Sequence, residues 1–365
     1  MRCGILTFSF AYNYGALLQA LSLKRFLEKK GKETDVVSFA PKHILRGYSL
    51  NPFVGKWSIK SIVYNFLRMP FRIRQYKRFD TFIEELHGGK KIFSDEETLF
   101  NAEKKYDALV VGSDQVWNDS ITGESEVYYL PNPSKGVLKI SYAASFGKKK
   151  LSEFQKQMCA KHLSSFSSLS LREEDGLEDL LKLSGKNVKI VLDPVFLTDK
   201  QEWTQLSSNS KLTNEDLAEK YILFYSLSFD LKLVELANEI SEKLKLRIIS
   251  IHPTAKKTHV KGKQLFNVGP YEFLSLMKNA EVVCTDSFHA TAFSVIFNKK
   301  FLHIARQERE SRVESLLRRL NAYSNQYKEC GLGNIIDFAN VDKKLIDELI
   351  GESKAYLLDA FLRKN

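Results

Sequence analysis

Short apolar runs alternate with helical patterns along most of the chain. The first apolar run, at residues 4–10, precedes a polar turn and a helical pattern at residues 16–27. Gly31 ends that pattern, and residues 33–39 predict a second strand. A strand, a helix and a strand in this order predict the opening of a parallel, doubly wound sheet.

The same alternation continues through the rest of the chain. Apolar runs predict further strands at residues 106–111, 139–145, 167–171, 189–192, 221–225, 247–251, 281–285 and 301–305. Apolar residues at helical spacing predict helices at residues 151–165, 230–245, 270–279, 290–297 and 345–362. Because the alternation restarts after residue 198, we predict an α/β fold of two Rossmann-like domains facing a central cleft. The predicted limits are 1–198, 199–345 and a closing helix at 346–365.

Length and composition favour a globular protein without a membrane span. The 365 residues are 44% hydrophobic and 27% charged, which suits two folded domains. No apolar run approaches the roughly 18 residues that a spanning helix needs. The N-terminus resembles a buried strand rather than a cleaved leader. We therefore expect a cytoplasmic protein.

Cysteine and histidine usage predicts neither a metal nor a cofactor. The four cysteines and seven histidines show no metal-ligand spacing, so buried thiols in a reducing compartment are expected. No strand is followed by Gly-x-Gly-x-x-Gly, and there is no Walker lysine motif, which disfavours nicotinamide and ATP chemistry. The net charge of +11 indicates an anionic partner.

A basic and aromatic segment lies within the first predicted domain, at about residues 42–79. Residues 36–79 contain no acidic side chain, and their basic residues are Lys42, Arg46, Lys56, Lys60, Arg68, Arg72, Arg74, Lys77 and Arg78. Apolar and aromatic residues such as Trp57, Phe66 and Leu67 are interleaved with them. This composition suits the surface of an anionic bilayer. The alternative is a helical excursion whose apolar face packs on its own domain.

Polar residues cluster where predicted strands end and helices begin. They are Asn13, Gly15, Asp114, Gln115, Asn118, Ser145, Arg172, Asp286, Ser287 and His289. Ligands of parallel sheets bind beyond the carboxyl ends of the strands, so these residues predict one site. Gly15 and the helix start after Ser287 are expected to bind phosphate through backbone N–H groups. Helix capping is the alternative for each cluster taken singly.

Two of these side chains have specific alternatives. His289 can act as a phosphate ligand or general acid, or it can be a core histidine paired with Asp286. The guanidinium of Arg172 suits a carboxylate or phosphate. Its alternative is an exposed ion pair with Glu173 or Glu174.

At these residues the sequence resembles the polysaccharide pyruvyltransferase family. The shared motifs occur in family order between about residues 4 and 317. They include Asn13-Tyr14-Gly15, Gly112-Ser113-Asp114-Gln115, Tyr142-Ala143-Ala144-Ser145, Leu171-Arg172-Glu173, Asp193-Pro194, Asp286-Ser287-Phe288-His289 and Ser311-Arg312-Val313.

The resemblance implies a fold similar to GT-B glycosyltransferases and phosphoenolpyruvate as donor. The expected product is a pyruvate ketal on a sugar of a cell-surface polysaccharide precursor, and a polyprenyl diphosphate carrying that sugar is a further expectation. Expected donor-binding residues are Arg172, His289, Ser287, Arg312 and Gly15, and expected acceptor-binding residues are Asn13, Gln115, Asn118 and Ser145. Asp114 and His289 are the candidates for proton transfer.

Two other functions stay open. A GT-B glycosyltransferase with a nucleotide-sugar donor would share this fold. A non-catalytic, membrane-associated polysaccharide assembly protein would keep the cleft without its chemistry. Nucleic acid is not an expected partner, because no recognised binding motif accompanies the basic segment.

Overall fold

The computed structural model describes most of the chain, including both predicted domains. The described residues are 1–37, 39–48, 50, 59–89, 105–131, 136–304, 310–322, 335–337 and 342–363, without the side chains of 59–62, 310 and 311. Lys56, Trp57 and the side chain of Lys60 in the basic segment lie outside this description, as do the side chain of Ser311 and all of Cys330.

The first half is built on a parallel sheet. Its strands are β1 (Arg2–Leu6), β2 (Glu33–Val36), β3 (Ala108–Val111) and β4 (Leu138–Ser141), in the order β2-β1-β3-β4. The parallel pair β5 (Leu169–Leu171) and β6 (Val188–Ile190) continues it, because Ile140 of β4 bridges Ser168. The predicted strand at residues 4–10 ends at Leu6, since the N–H of Ser9 donates to the carbonyl of Thr7 in a turn. Its apolar continuation reflects burial instead of sheet pairing.

Helices connect these strands and place their first turns at the carboxyl edge of the sheet. They are α1 (Tyr14–Lys29), α2 (Lys42–Gly47), α3 (Ile59–His87), α4 (Asp119–Thr122), α5 (Glu153–His162) and α6 (Leu177–Ser184). The side chain of Asn13 caps α1, and Ser152 with Gln155 forms a capping box on α5. These caps satisfy N–H groups that a helix start otherwise leaves unpaired.

The second half repeats the architecture. Its parallel sheet has the order β11-β10-β7-β8-β9, from β7 (Tyr221–Tyr225), β8 (Arg247–Ile251), β9 (Lys263–Leu265), β10 (Val282–Thr285) and β11 (Lys300–His303). The helices are α7 (Lys200–Ser207), α8 (Asn214–Leu217), α9 (Leu231–Leu244), α10 (Pro270–Asn279), α11 (Phe288–Ile296), α12 (Glu310–Arg319) and α13 (Lys343–Ala360). The short edge strand β9 was not predicted, because its apolar pattern is too brief to detect.

A shared apolar core joins the two halves. Tyr14 of α1 stacks on Phe79 of α3 and on Phe273 of α10, with ring centroids 5.3 and 4.8 Å apart. These three aromatic residues belong to one buried hydrophobic cluster that also contains residues of β7 and β8. The closing helix α13 crosses back to the first half, where Leu357 packs in the cluster of Cys3 and Ile5. The α/β fold with two parallel sheets is therefore confirmed, while the domain limits at 198 and 345 stay a prediction.

Helix α3 carries the second part of the basic segment and divides into two surfaces. Its carboxyl-terminal part buries Tyr76, Phe79 and Phe82, and the two phenylalanines pack in the cluster that contains residues of the second half. Its amino-terminal part exposes Val63, Phe66 and Leu67 to solvent. No helix in the described ranges is long and apolar enough to cross a bilayer.

Candidate active site

A cavity lies where the carboxyl ends of the two sheets face each other. Its volume is about 190 Å³. The first half contributes Asn13, Asp114, Gln115 and Ile121, and the second contributes Leu227, Ser228, Asp286, Ser287, Phe288, His289, His303 and Arg312. The polar lining residues follow the carboxyl ends of strands or begin the next helices, as expected for ligand sites of parallel sheets.

The first turn of α1 supports the His289 imidazole. The Oδ1 atom of Asn13 accepts from the N–H of Gly15 at 3.0 Å and from the N–H of Ala16 at 3.3 Å. A Cβ atom on Gly15 would lie 2.1 Å from Cγ and 2.2 Å from Nδ1 of His289. Only glycine therefore lets the imidazole pack against this turn. The N–H of Gly15, which was expected to bind phosphate, is already used by Asn13.

The other ring nitrogen of His289 faces a buried carboxylate. Its Nε2 lies 3.6 Å from Oδ2 of Asp193, beyond hydrogen-bond distance. Nε2 makes no hydrogen bond to any described residue, although the side chain is only 10% exposed. The predicted alternative partner, Asp286, is engaged elsewhere. His289 is thus positioned by contacts from both halves while one nitrogen keeps its hydrogen-bonding capacity.

The carboxylate of Asp193 accepts several hydrogen bonds beneath the cavity. Its Oδ2 accepts from Nη1 of Arg172 at 2.9 Å and from Oγ of Ser113 at 3.0 Å. Its Oδ1 accepts from the N–H of Val195 at 3.1 Å. Burial by itself raises the pKa of Asp193, but His289 and Arg172 together hold that pKa well below its usual range. Asp193 is therefore a fixed negative charge behind the imidazole.

Arg172 lies behind the cavity wall, with its residue surface only 4% exposed. The guanidinium stacks on Phe288 at 4.3 Å from the ring centroid. Besides Asp193, it contacts Glu173 through Nε at 3.3 Å, and its Nη2 is 3.8 Å from Oδ1 of Asp114. Burial disfavours its charge, yet these carboxylates raise the pKa of Arg172 further. An exposed ion pair, the alternative expected from sequence, is thus not what forms.

Glu173 is a buried carboxyl group in the same network. Burial raises its pKa, and the positive charges of Arg172 and Arg312 only partly oppose that effect. Its Oε1 has no hydrogen-bond partner among the described residues. Glu173 thereby connects Arg172 of the first half electrostatically with Arg312 of the second.

The predicted acceptor residues of the first half divide into two groups. Gln115 lines the cavity, as Asp114 does, and Oδ1 of Asp114 accepts from the N–H of Gln115 at 2.9 Å. Asn118 uses both ends of its amide internally, donating to Oε1 of Gln115 at 2.9 Å and accepting from the N–H of Ser120 at 3.1 Å. Oγ of Ser145 accepts from the N–H of Gly147. Asn118 and Ser145 therefore support the site from behind.

On the second half, Asp286 organises the turn after β7. It accepts from the N–H of Leu227 at 2.7 Å, the N–H of Ser228 at 2.9 Å and Oγ of Ser226 at 2.8 Å. The short loop that enters the cavity is therefore anchored by one carboxylate. Ser287 caps α11 by accepting from the N–H of Ala290, so it lines the cavity with its hydroxyl already engaged.

A second histidine, His303, reaches the cavity from the end of β11. Its Nδ1 lies 2.9 Å from Oγ1 of Thr291, and burial lowers its pKa to about 4. It is therefore neutral near pH 7. Arg312 of α12 is the cationic side chain that lines the cavity beside it.

Sequence reasoning found half of the cavity lining but missed His303 in that lining and the role of Asp193 behind it. The cavity brings together Asn13, Asp114, Gln115, Ser287, His289 and Arg312, while Gly15, Asn118, Ser145 and Arg172 stand behind them. Asp193 was noticed only as part of a family motif. Its position shortly after β6 carries the same strand-end signal as the others. His303 has that signal too, at the end of β11.

The arrangement combines a cation, two imidazoles and carboxylates around a small volume. Such a site can hold an anion through Arg312 and move protons through His289 and Asp114. Within the described residues, no group of three or more histidine, cysteine and acidic side chains is placed to hold a metal ion.

Comparisons with known proteins agree with this picture. The chain matches the sequence model of the family Polysaccharide pyruvyl transferase over residues 13–308. A search of curated proteins gives no match.

Three solved structures match this chain at low sequence identity. A Listeria monocytogenes protein assigned as a UDP-N-acetylglucosamine 2-epimerase superposes with a TM-score of 0.50 and 10% identity, covering 99% of this chain and 95% of its own. The Neisseria meningitidis UDP-GlcNAc 2-epimerase gives 0.49 and 13%, covering 100% of both chains. Heptosyltransferase II of Escherichia coli gives 0.40 and 11%, covering 98% of this chain and 99% of its own. The first likeness supports the predicted GT-B-like fold and carries no information on activity.

Proposed function

The chain belongs to the polysaccharide pyruvyl transferase family, and from this premise we propose that it forms a pyruvate ketal on a sugar of a polysaccharide precursor, with phosphoenolpyruvate as donor. It is a transferase of that family. The donor, the ketal linkage and the acceptor are the proposed parts.

The observation that carries the proposal is the setting of His289. Its imidazole lines the cavity, packs on Gly15, and has the buried Asp193 charge 3.6 Å behind Nε2. An imidazole backed by a carboxylate is suited to exchanging protons with a bound substrate. Arg312, in the same cavity, supplies a positive charge for the phosphate or carboxylate of the donor.

The proposed reaction balances without a cofactor. The vinyl carbon of phosphoenolpyruvate accepts a proton and becomes a methyl group, while one sugar hydroxyl oxygen bonds to the neighbouring carbon. The second hydroxyl oxygen then displaces phosphate from that carbon and closes the ketal. The two hydroxyl protons end on the methyl group and on the released phosphate. Asp114 and His289, from opposite halves, are the proposed proton-transfer groups.

Cavity size favours this donor over a nucleotide sugar. Pockets that enclose drug-sized ligands measure about 300–1,000 Å³, whereas this cavity measures about 190 Å³. A compact donor with two anionic groups fits such a volume. The buried Arg172 is proposed to act on the donor indirectly, by holding Asp193 and Phe288 in place.

Donor choice can be tested by titration calorimetry. We expect phosphoenolpyruvate to bind saturably and UDP-GlcNAc not to bind. Arg312→Gln should weaken phosphoenolpyruvate binding about 10- to 100-fold, since a charge-assisted hydrogen bond contributes about 1.5–3 kcal/mol. Arg318→Gln, on the same helix but exposed and paired with Glu314, is the matched control and should bind like the wild type.

Mass spectrometry of candidate acceptors then tests the transfer itself. Incubation with phosphoenolpyruvate should add the mass of pyruvic acid less one water and release one phosphate per acceptor. UDP-GlcNAc binding that excludes phosphoenolpyruvate would instead support the glycosyltransferase alternative. A protein that binds neither donor would support the non-catalytic alternative.

We further propose that the protein works in the cytoplasm, peripherally on the inner face of the membrane, where the acceptor is a sugar on a polyprenyl diphosphate. Val63, Phe66 and Leu67 form an exposed apolar surface on α3, and Arg74 follows Leu67 on the same helix face. Apolar side chains flanked by basic ones suit an anionic bilayer.

Leu67→Glu is expected to weaken binding to phosphatidylglycerol vesicles at least about tenfold, because burying one leucine side chain in the bilayer contributes about 1.5–3 kcal/mol. Leu231→Glu on α9 is the control, since Leu231 is 65% exposed and Leu67 is 70% exposed. Vesicle sedimentation measures both. Equal binding by the two variants would show that α3 does not contact the bilayer.

A further inference from the structure

A group of basic side chains stands beside the active-site cavity. We name it the α3–β8 cluster: Arg68 and Arg72 from α3, and His252 and Lys256 from the turn after β8. In the described part of the chain, Arg68, His252 and Lys256 form no ion pair with any acidic residue. Basic groups brought together in this way repel one another, so the unliganded arrangement carries an electrostatic cost that an anion would relieve.

Hydrogen bonds hold the two arginines of this cluster in place. Arg68 donates from Nε to the carbonyl of Ala255 at 3.2 Å and from Nη2 to the carbonyl of Thr254 at 2.5 Å. Arg72 is buried and donates from Nη2 to the hydroxyl of Tyr76 at 2.8 Å. Arg68 thereby ties helix α3 to the turn after β8, whereas the hydrogen bond of Arg72 stays within α3.

His252 is oriented so that it can donate to an anion. Its Nδ1 accepts from the N–H of Thr254 at 3.2 Å, and its ring stacks on Phe229 with centroids 4.9 Å apart. The neutral ring therefore carries its proton on Nε2, for which no described residue is the acceptor. Burial, followed by the charges of Lys256 and Arg68, lowers the pKa of His252 to about 3.

The cluster is adjacent to the reaction site along the chain and in space. Ser228 lines the cavity, and the next residue, Phe229, stacks on His252 and lies under Lys256 Nζ at 5.5 Å. Lys256 is exposed, so a ligand can reach it from solvent. On α3, Leu67 directly precedes Arg68, and Val63 lies one helical turn before Leu67. Both residues expose apolar surface.

We propose that the α3–β8 cluster is a second anion site, which binds a phosphate or diphosphate ester of the acceptor while its sugar enters the cavity. This assignment of the ester to the acceptor rests on the proposed function. The binding chemistry is independent of it: the ammonium group of Lys256, the guanidinium of Arg68 and the Nε2–H of His252 lie close enough for their charges to interact, and no described carboxylate pairs with them. The neighbouring apolar surface of α3 suits a lipid chain on the same ester.

Titration with inorganic pyrophosphate tests the site in the full-length protein. Pyrophosphate should bind in the presence of saturating phosphoenolpyruvate. Lys256→Gln should weaken this binding about tenfold, the low end for the loss of one charge-assisted contact, because Lys256 is exposed. Lys243→Gln is the matched control. It makes the same charge change at an exposed lysine near the end of α9. Helix α9 leads into the start of β8, whereas the α3–β8 cluster follows the end of β8.

The two anion sites can be separated by their variants. Arg312→Gln should weaken phosphoenolpyruvate and spare pyrophosphate, whereas Lys256→Gln should do the reverse. Failure of phosphoenolpyruvate to bind would therefore count against the proposed function and leave the pyrophosphate result standing. Because Lys256 is exposed, its variant tests the site even if Arg68→Gln, which removes two loop contacts, fails to fold.

Complete displacement of pyrophosphate by phosphoenolpyruvate would overturn the proposal, as would equal pyrophosphate affinities of Lys256→Gln and Lys243→Gln. Phosphatidylglycerol vesicles distinguish the source of the phosphate. One outcome is that Lys256→Gln and Lys243→Gln lose vesicle binding equally and that pyrophosphate does not bind. The basic residues would then attract anionic surfaces only through their overall charge, and this result would also overturn the proposal.

Discussion

Asp193→Asn is expected to lower kcat by about 10²–10³-fold while changing the phosphoenolpyruvate Kd much less. An orienting carboxylate behind a catalytic imidazole contributes up to about 10⁴ in kcat, and the 3.6 Å separation from Nε2 here favours a smaller value. Asparagine keeps the shape of the side chain but removes the negative charge. The loss should therefore fall on proton transfer rather than on donor binding.

The same substitution is expected to destabilise the protein by about 3 kcal/mol. Removing one partner of a buried ion pair leaves the other uncompensated. In addition, Oδ1 accepts from the N–H of Val195 and Oδ2 accepts from Arg172, so the amide NH₂ of asparagine must face a donor on one side. Denaturant unfolding measures this loss, and kinetics are compared where both proteins are fully folded.

A readout beyond stability identifies Asp193 as a positioning residue. Nitrogen NMR of the His289 ring reports its tautomer and charge, and we expect both to change in Asp193→Asn. Asp230→Asn is the control, because Asp230 also accepts backbone N–H bonds at a helix start and asparagine caps equally well. An unchanged His289 signal in Asp193→Asn, together with wild-type kcat, would refute this role.

Gly15→Ala is expected to lower activity by about 100-fold and stability by about 1–3 kcal/mol. The new Cβ atom would lie 2.1 Å from Cγ and 2.5 Å from Cβ of His289, so the imidazole must move. Displacing a reacting group by about 1 Å can cost about 10²-fold in rate, and overpacking a core costs about 1–3 kcal/mol. Helix propensity alone predicts the opposite sign, since alanine is the better helix former by about 1 kcal/mol.

Gly351→Ala is the matched control for the sign of the stability change. Gly351 lies inside α13, and a Cβ atom there would meet nothing within 4 Å. We expect a gain of about 0.5–1 kcal/mol and unchanged kinetics. Thermal unfolding and phosphate release measure both variants. If the two glycine replacements behave alike, His289 does not pack on Gly15 in solution.

The strand-end rule explains why much of the cavity could be predicted. Asn13, Asp114, Ser287 and His289 each follow a strand or begin a helix, and parallel strands bring their carboxyl ends to one edge. The rule names residues at that edge but not the direction of each side chain. It therefore could not show that Asn118 is engaged internally or that Arg172 points behind the wall.

Helix α3 shows the same limit on a larger scale. Its basic and aromatic composition is visible in the sequence. The packing of an apolar face is found in the structure, whereas contact with a bilayer stays a proposal. The carboxyl-terminal part packs at the junction of the two halves, and the amino-terminal part is exposed. Composition cannot assign burial along one helix, because burial depends on which surfaces the rest of the chain leaves uncovered.

The sequence by itself determined the alternation of strands and helices, and hence two parallel sheets with polar residues at their carboxyl edges. Hydrophobic periodicity is a local property, so it can be read without knowing contacts. Only the tertiary structure decided that Asp193 stands behind His289 and that Gly15 supports the same imidazole. It also decided that the charges of Arg68 and Lys256 lie near enough to interact. These pairs join residues distant in sequence, and their energies depend on distance and burial, which no local pattern specifies.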